Sequence, residues 1–145
     1  SVRPELINQE DLKETSRAKE LDFLKFATPV SGKISAGFNP SIRHFGVDII
    51  AAKDTPIKSI LDGVVISAEQ SVSTGNSVYI QHQKNVVSVY KHNSVLLVKT
   101  GDVVKTGQAV AIIGNSGEMT TGPHLHFEMW YDGKYVNPEK YIGFQ

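Results

Sequence analysis

The heptapeptide Gly122-Pro123-His124-Leu125-His126-Phe127-Glu128 decides how the chain is read. Side chains of a strand alternate between its two faces, so His124 and His126 share one face and Leu125 and Phe127 share the other. The apolar pair locks such a strand to a core and holds both imidazoles still on the opposite side. Glu128 falls on the histidine face, and Gly122-Pro123 fixes the entry of the strand. A chance pair of histidines on a solvated strand is the bland alternative.

Outward from this stretch the texture stays the same. From Phe26 on, short β-rich runs alternate with Gly, Asn, Asp and Pro. Strands are expected over residues 33–38, 47–50, 56–60, 64–68, 77–82, 86–91, 108–113, 124–130 and 134–136. Turns are expected at residues 61–63, 83–85, 100–102 and 132–133. Strands of about five residues at this spacing mean an all-β, mainly antiparallel domain. Residues 1–22 differ. Asn8 is placed to cap a helix over residues 8–22, with Glu10 and Asp11 near its positive end. Its apolar positions, Leu12 and Leu21, followed by Leu24, make a thin stripe that needs a partner surface. The expected division is a helical arm or linker over residues 1–25 and one domain over residues 26–145. The chain opens at Ser1, as a processed or truncated one does, so a leader or anchor upstream is compatible with it.

Composition narrows the chemistry. A chain of 145 residues suits one domain with a sizeable core. Its 15 basic and 15 acidic residues balance, so nothing marks a nucleic-acid or anionic-membrane surface. There is no cysteine, which excludes thiolate metal sites and leaves His and carboxylates as the ligands available. No apolar run reaches the roughly 18 residues of a membrane span.

Beside the first stretch stand His44-Phe45-Gly46-Val47-Asp48 and Tyr90-Lys91-His92. His44 and Asp48 suit one helix face by spacing, but Gly46 and the β-branched Val47, Ile49 and Ile50 oppose a helix. A straight strand sets their Cα atoms roughly 13 Å apart, and a bend at Gly46 would close the gap. Taken alone, the pair reads as a surface histidine and a turn aspartate. His92 is expected to share a face with Ser88 and Tyr90, and a locally hydrogen-bonded strand-end histidine explains it equally well. Glu128 reads as an exposed strand carboxylate in preference to an acceptor for a ring N–H. His82 ends a strand before a turn and reads as structural or surface. Together, two histidines and one carboxylate make the protein ligands of a catalytic zinc, with two histidines left for proton transfer and oxyanion stabilisation. No H-E-x-x-H helix is present.

These segments, in this order, resemble the lysostaphin-type (LytM-like) zinc endopeptidases. The intervening Thr55-Pro56-Ile57, Asp62-Gly63-Val64-Val65, Gly101-Asp102-Val103-Val104, Gly107-Gln108 and Val136-Asn137-Pro138 match as well, so the likeness covers about residues 26–142. The resemblance implies a compact antiparallel β-domain, sandwich- or barrel-like, with a groove floored by a sheet. It implies zinc-dependent cleavage of peptide bonds in peptidoglycan cross-links or stem peptides, with a lean to direct stem-to-stem links. It implies His44, Asp48 and His126 as zinc ligands and His92 and His124 as the two non-ligand histidines at the attacking water. Activity should then fall at acidic pH, where imidazole protonates. A substrate-contacting tyrosine that some members carry before the first motif has no counterpart in Gly37-Phe38-Asn39-Pro40-Ser41-Ile42-Arg43. A periplasmic or cell-envelope location follows, with peptidoglycan peptides as partner. Two rivals are a non-catalytic peptidoglycan-binding or amidase-activating module, and a lipoyl-type carrier suggested by residues 101–108. The carrier lacks a lysine at a hairpin tip and leaves the histidines without a reason.

Overall fold

The computed structural model describes residues 20–72, 75–115 and 122–145. Most of the helix expected over residues 8–22 lies outside them. Residues 20–22 form a last helical turn, from which Leu21 enters the core at 1% exposure. The Tyr131 hydroxyl donates to Glu20 Oε2 at 3.3 Å on the same turn.

Ten strands follow among the described residues: β1 (Lys33–Ala36), β2 (Val47–Ile50), β3 (Pro56–Lys58), β4 (Gly63–Glu69), β5 (Asn76–Gln81), β6 (Val86–Leu96), β7 (Val103–Val104), β8 (Ala109–Ile113), β9 (His124–Tyr131) and β10 (Lys134–Val136). The expected all-β, antiparallel class is the one observed. All pairings are antiparallel, in the order β1-β2-β9-β6-β5-β4-β7, with β10 on β9 and β8 bridging β6 and β3. Nine strands stand where the sequence sets them. The tenth, β7, is two residues inside a Gly-Asp turn region, too short to show a period. Strand β6 overruns its expected end by five residues, from Lys91 to Leu96.

The alternation of β9 works as its sequence requires. Leu125, Phe127 and Met129 are fully buried, while His124 and His126 are only partly covered. Phe127 packs on Tyr90 with ring centroids 5.3 Å apart and on Phe144 at 6.0 Å. The β3–β8 pair adds Ile57, Val110, Ala111 and Ile113 to the same core. Fully burying side chains of this size contributes about 1.5–3 kcal/mol each, so the histidine strand is anchored from behind. Asp132 and Gly133, both at positive φ (50° and 76°), make the tight turn that folds β10 back onto β9.

His82 belongs to the core, apart from the other four histidines. Its Nδ1–H donates to the Asp62 carbonyl at 2.8 Å, because a carbonyl only accepts. Nε2 of the neutral ring therefore accepts from Ser88 Oγ at 2.6 Å. Ser88 accepts in turn from the Tyr90 hydroxyl at 2.7 Å, and Tyr90 accepts from the Ile60 N–H at 3.1 Å. Burial pushes the Tyr90 phenol up to about 12, so it stays a donor. Burial also lowers the His82 pKa, against the hydrogen bond and charge of Asp62, which act to raise it. A histidine kept neutral by folding takes up its proton more readily in the unfolded chain. Its stability contribution is thus complete above the ordinary value of 6.5 and declines as pH falls below it. In chelator, the melting-temperature advantage of the wild type over His82→Gln should shrink as pH falls from about 7.5 to about 5.5. Equal slopes for the two proteins would contradict the neutral relay.

Candidate metal centre and its groove

Strand register brings the distant motifs together. Asp48 on β2 pairs with His126 on β9, and Ile50 pairs with His124. Val47 and Ile49 point into the core, so Asp48 faces the histidine side of the sheet. His44 arrives from a short 3-10 turn, Pro40–Ile42, which Arg43 ends at φ 59°. Backbone hydrogen bonds between Asn39 and His44, at 2.8 and 3.0 Å, hold that entry. The chain then bends at Gly46, as the His44–Asp48 spacing requires. Glycine is needed there for a second reason as well. A Cβ would meet the Phe127 carbonyl oxygen at 2.5 Å and His126 Cε1 at 3.0 Å.

His44, Asp48 and His126 each offer one ligand atom, and the three atoms lie within 4.8 Å of one another. His44 Nδ1–H donates to the Gly37 carbonyl at 2.6 Å, which leaves Nε2 facing Asp48 Oδ2 at 3.1 Å. His126 Nε2–H donates to Glu128 Oε2 at 2.9 Å, which leaves Nδ1 facing Asp48 Oδ1 at 2.7 Å. Both outer partners are acceptors only, so in the neutral rings both inward nitrogens carry lone pairs. Two lone pairs aimed at a carboxylate repel it unless positive charge lies among the three groups. Two imidazoles and one carboxylate are a donor set that fits a catalytic zinc. Where a proton serves instead of an ion, His126 carries it. Burial would lower its pKa, but hydrogen bonds and charge from Asp48 and Glu128 push it up to about 9. Burial likewise works to raise Asp48, yet His126 and His44 hold it below its ordinary value.

Glu128 corrects an expectation. It is not an exposed strand carboxylate but 7% exposed, and besides His126 it accepts from Trp130 Nε1 at 3.1 Å. Lys91 Nζ stands 3.6 Å away. Burial opposes its ionisation, and the His126 hydrogen bond, the Lys91 charge and Trp130 prevail to keep its pKa low. This is the arrangement that orients a ligating imidazole.

His92 corrects a second one. It does not share the core-facing side of Ser88 and Tyr90, both of which are fully buried. Its backbone sits at φ 70°, a left-handed value inside a strand. Up to Lys91, β6 pairs with β9, and from Asn93 on it pairs with β8. His92 occupies the break, which re-aims its ring toward the groove. Asn93 Nδ2 donates to the Tyr90 carbonyl at 3.0 Å across the irregularity. Gly114 lets the chains close here, since any Cβ would collide with the His92 carbonyl oxygen. The His92 ring lies 5.1 Å from that of His124 and 6.1 Å from that of His126, centroid to centroid. His124 is set by its N–H donating to the Gly114 carbonyl at 3.2 Å. All five residues singled out in the sequence thus border one place. Beside it opens a cavity of about 300 Å³ lined by Glu69, Ser77, Tyr79, Lys91, His92 and His126. Lys91 was not singled out from sequence, because the register that sets it beside His126 is long-range.

The model for peptidase family M23 matches residues 42–138. The peptidoglycan DD-endopeptidase ShyC of Vibrio cholerae is 41% identical over 76% of this chain and 24% of its own length. The murein hydrolase activator NlpD of Escherichia coli is 37% identical over 79% of this chain and 30% of its own. The chain therefore spans less than a third of either relative. A crystal structure of a zinc-containing peptidase from Vibrio cholerae superposes with a TM-score of 0.70 and 34% identity, over 79% of this chain and 39% of that one.

Proposed function

The chain belongs to peptidase family M23, and on that premise we propose that it is a zinc-dependent endopeptidase acting on peptide bonds of peptidoglycan cross-links or stem peptides. The observation that carries this reading is the convergence of His44 Nε2, Asp48 and His126 Nδ1, each ring oriented by an outer acceptor. These three residues would hold the zinc. When bound, the ion supplies Lewis-acid polarisation of an amide carbonyl. His92 and His124 are left to move protons: one ring accepts the proton of the attacking water, and one delivers a proton to the leaving amine. The partly covered His124 and His126 and the floor of β5, β6 and β9 leave an open trough for an extended peptide.

Glycoside hydrolysis would require two carboxylates across a sugar. Asp48 is taken up by the cluster, and Glu128 is buried and paired. Digestion of purified peptidoglycan by zinc-loaded protein should therefore release new amino groups and no new reducing ends, read by mass spectrometry of the fragments. New reducing ends would refute the proposal. Likeness to a murein hydrolase activator supports a second reading, in which the domain stimulates another hydrolase. That reading gains if zinc-loaded protein cleaves nothing alone yet accelerates an added amidase. Both readings set the protein in the cell envelope. Among the described residues no helix is long and apolar enough to cross a membrane.

A further inference from the structure

The chemistry assigned to His92 and His124 leaves Lys91, the one lysine lining the cavity, without a part. Asp48 on β2, His126 on β9 and Lys91 on β6 form one row across three adjacent strands. Farther along, Ser77 on β5 stands opposite Glu69 on β4. Neighbouring strands are about 4.8 Å apart, so the Lys91 backbone is one strand from His126 and two from Asp48. An extended peptide advances about 3.4 Å per residue. A chain crossing the strands with its scissile amide at the cluster therefore passes Lys91 one or two residues away.

Lys91 is built for more than its ion pair. Its side chain is 32% exposed and lines the cavity, while its partner Glu128 has a side chain 9% exposed. That contact is long, at 3.6 Å, and both Glu128 oxygens have closer donors, His126 at 2.9 Å and Trp130 at 3.1 Å. An ammonium carries three donors, and Glu128 engages one at most. The opposite wall carries Glu69, whose Oε1 accepts from Ser67 Oγ at 3.1 Å. An anionic group entering this cavity is repelled from the Glu69 side and drawn to the Lys91 side.

We infer that Lys91 is a carboxylate-binding residue of the groove, selecting peptides that carry a free carboxylate one or two residues from the amide to be cleaved. The inference rests on the peptide-substrate reading above, and the test separates the two. Two cleavage-resistant peptides of one sequence, differing only in a free carboxylate or a carboxamide at that position, are titrated by calorimetry against zinc-loaded protein. The wild type should bind the acid at least about tenfold more tightly than the amide, the scale of one charge-assisted hydrogen bond. Lys91→Met should bring that ratio close to one, and Lys91→Arg should restore most of it, with zinc content measured for each. A role limited to supporting Glu128 would lower both affinities together and leave the ratio standing, and that result overturns the proposal. So does a wild type that binds acid and amide alike. Cleavable versions of the same peptides give the second readout. A tenfold preference in binding with no amine released would keep the carboxylate site and remove the endopeptidase reading.

Discussion

Protein with His126→Ala is expected to lose its zinc and with it all measurable hydrolysis. His126 is tied to the cluster on both sides of its ring, with Asp48 at 2.7 Å and Glu128 at 2.9 Å. Alanine removes one of three ligands and leaves Glu128 buried without its closest donor. The outer partner makes the graded comparison. Glu128→Gln keeps the shape but opposes an amide to a ring N–H or to the Trp130 N–H. Substitution of such an outer acceptor costs about 10–100-fold in metal affinity or activity, so this variant should sit between wild type and His126→Ala. Equilibrium dialysis against a zinc chelator orders the three. Stoichiometric zinc in His126→Ala, or a Glu128→Gln affinity equal to wild type, would remove the ligand set proposed here.

How much of this was legible before the fold was in hand follows from the range of each interaction. The one-sided strand at His124–Tyr131 is local, and its period of two is written in five consecutive residues. The bend at Gly46 follows from the length of a side chain. The pairing of Asp48 with His126 spans 78 residues of sequence, and no local pattern contains it. Glu128 was misread for a related reason. Its cover comes from Trp130 on its own strand and Lys91 on β6. Trp130 is two residues along the same face, but Lys91 can be seen only once the register of β6 is known. The aim of His92 depends on one backbone angle. Asn93 and Ser94 follow His92 in the sequence, but the left-handed angle of φ 70° falls on the histidine and not on the asparagine that ordinarily takes it. Regular alternation therefore sets His92 with Ser88 and Tyr90, on the wrong side.

That same angle gives His92 a double expectation. Replacing either His92 or His124 by alanine should preserve zinc and lower the rate of peptide cleavage by about 10²–10⁴-fold, the usual worth of a positioned acid or base. The two rings lie 5.1 Å apart, beside the cluster but outside its mutually close donor atoms. Retained zinc with a lost rate is what separates them from His126. At His92 the stability order should also invert. A left-handed backbone costs a residue with a Cβ roughly 1–2 kcal/mol that glycine escapes, whereas in an ordinary strand glycine is the poorer choice. His92→Gly should therefore unfold at higher denaturant than His92→Ala while both keep the lowered rate. The difference should be about 1 kcal/mol after the entropy of glycine in the unfolded chain is subtracted. Histidine at this position would then be held in strain by the surrounding ladder, between the pairing of Lys91 with β9 and that of Asn93 with β8, for the sake of where its ring points. An alanine variant as stable as the glycine variant would deny the strain. Loss of zinc from His124→Ala alongside its retention in His126→Ala would reverse the division between the two histidines of β9.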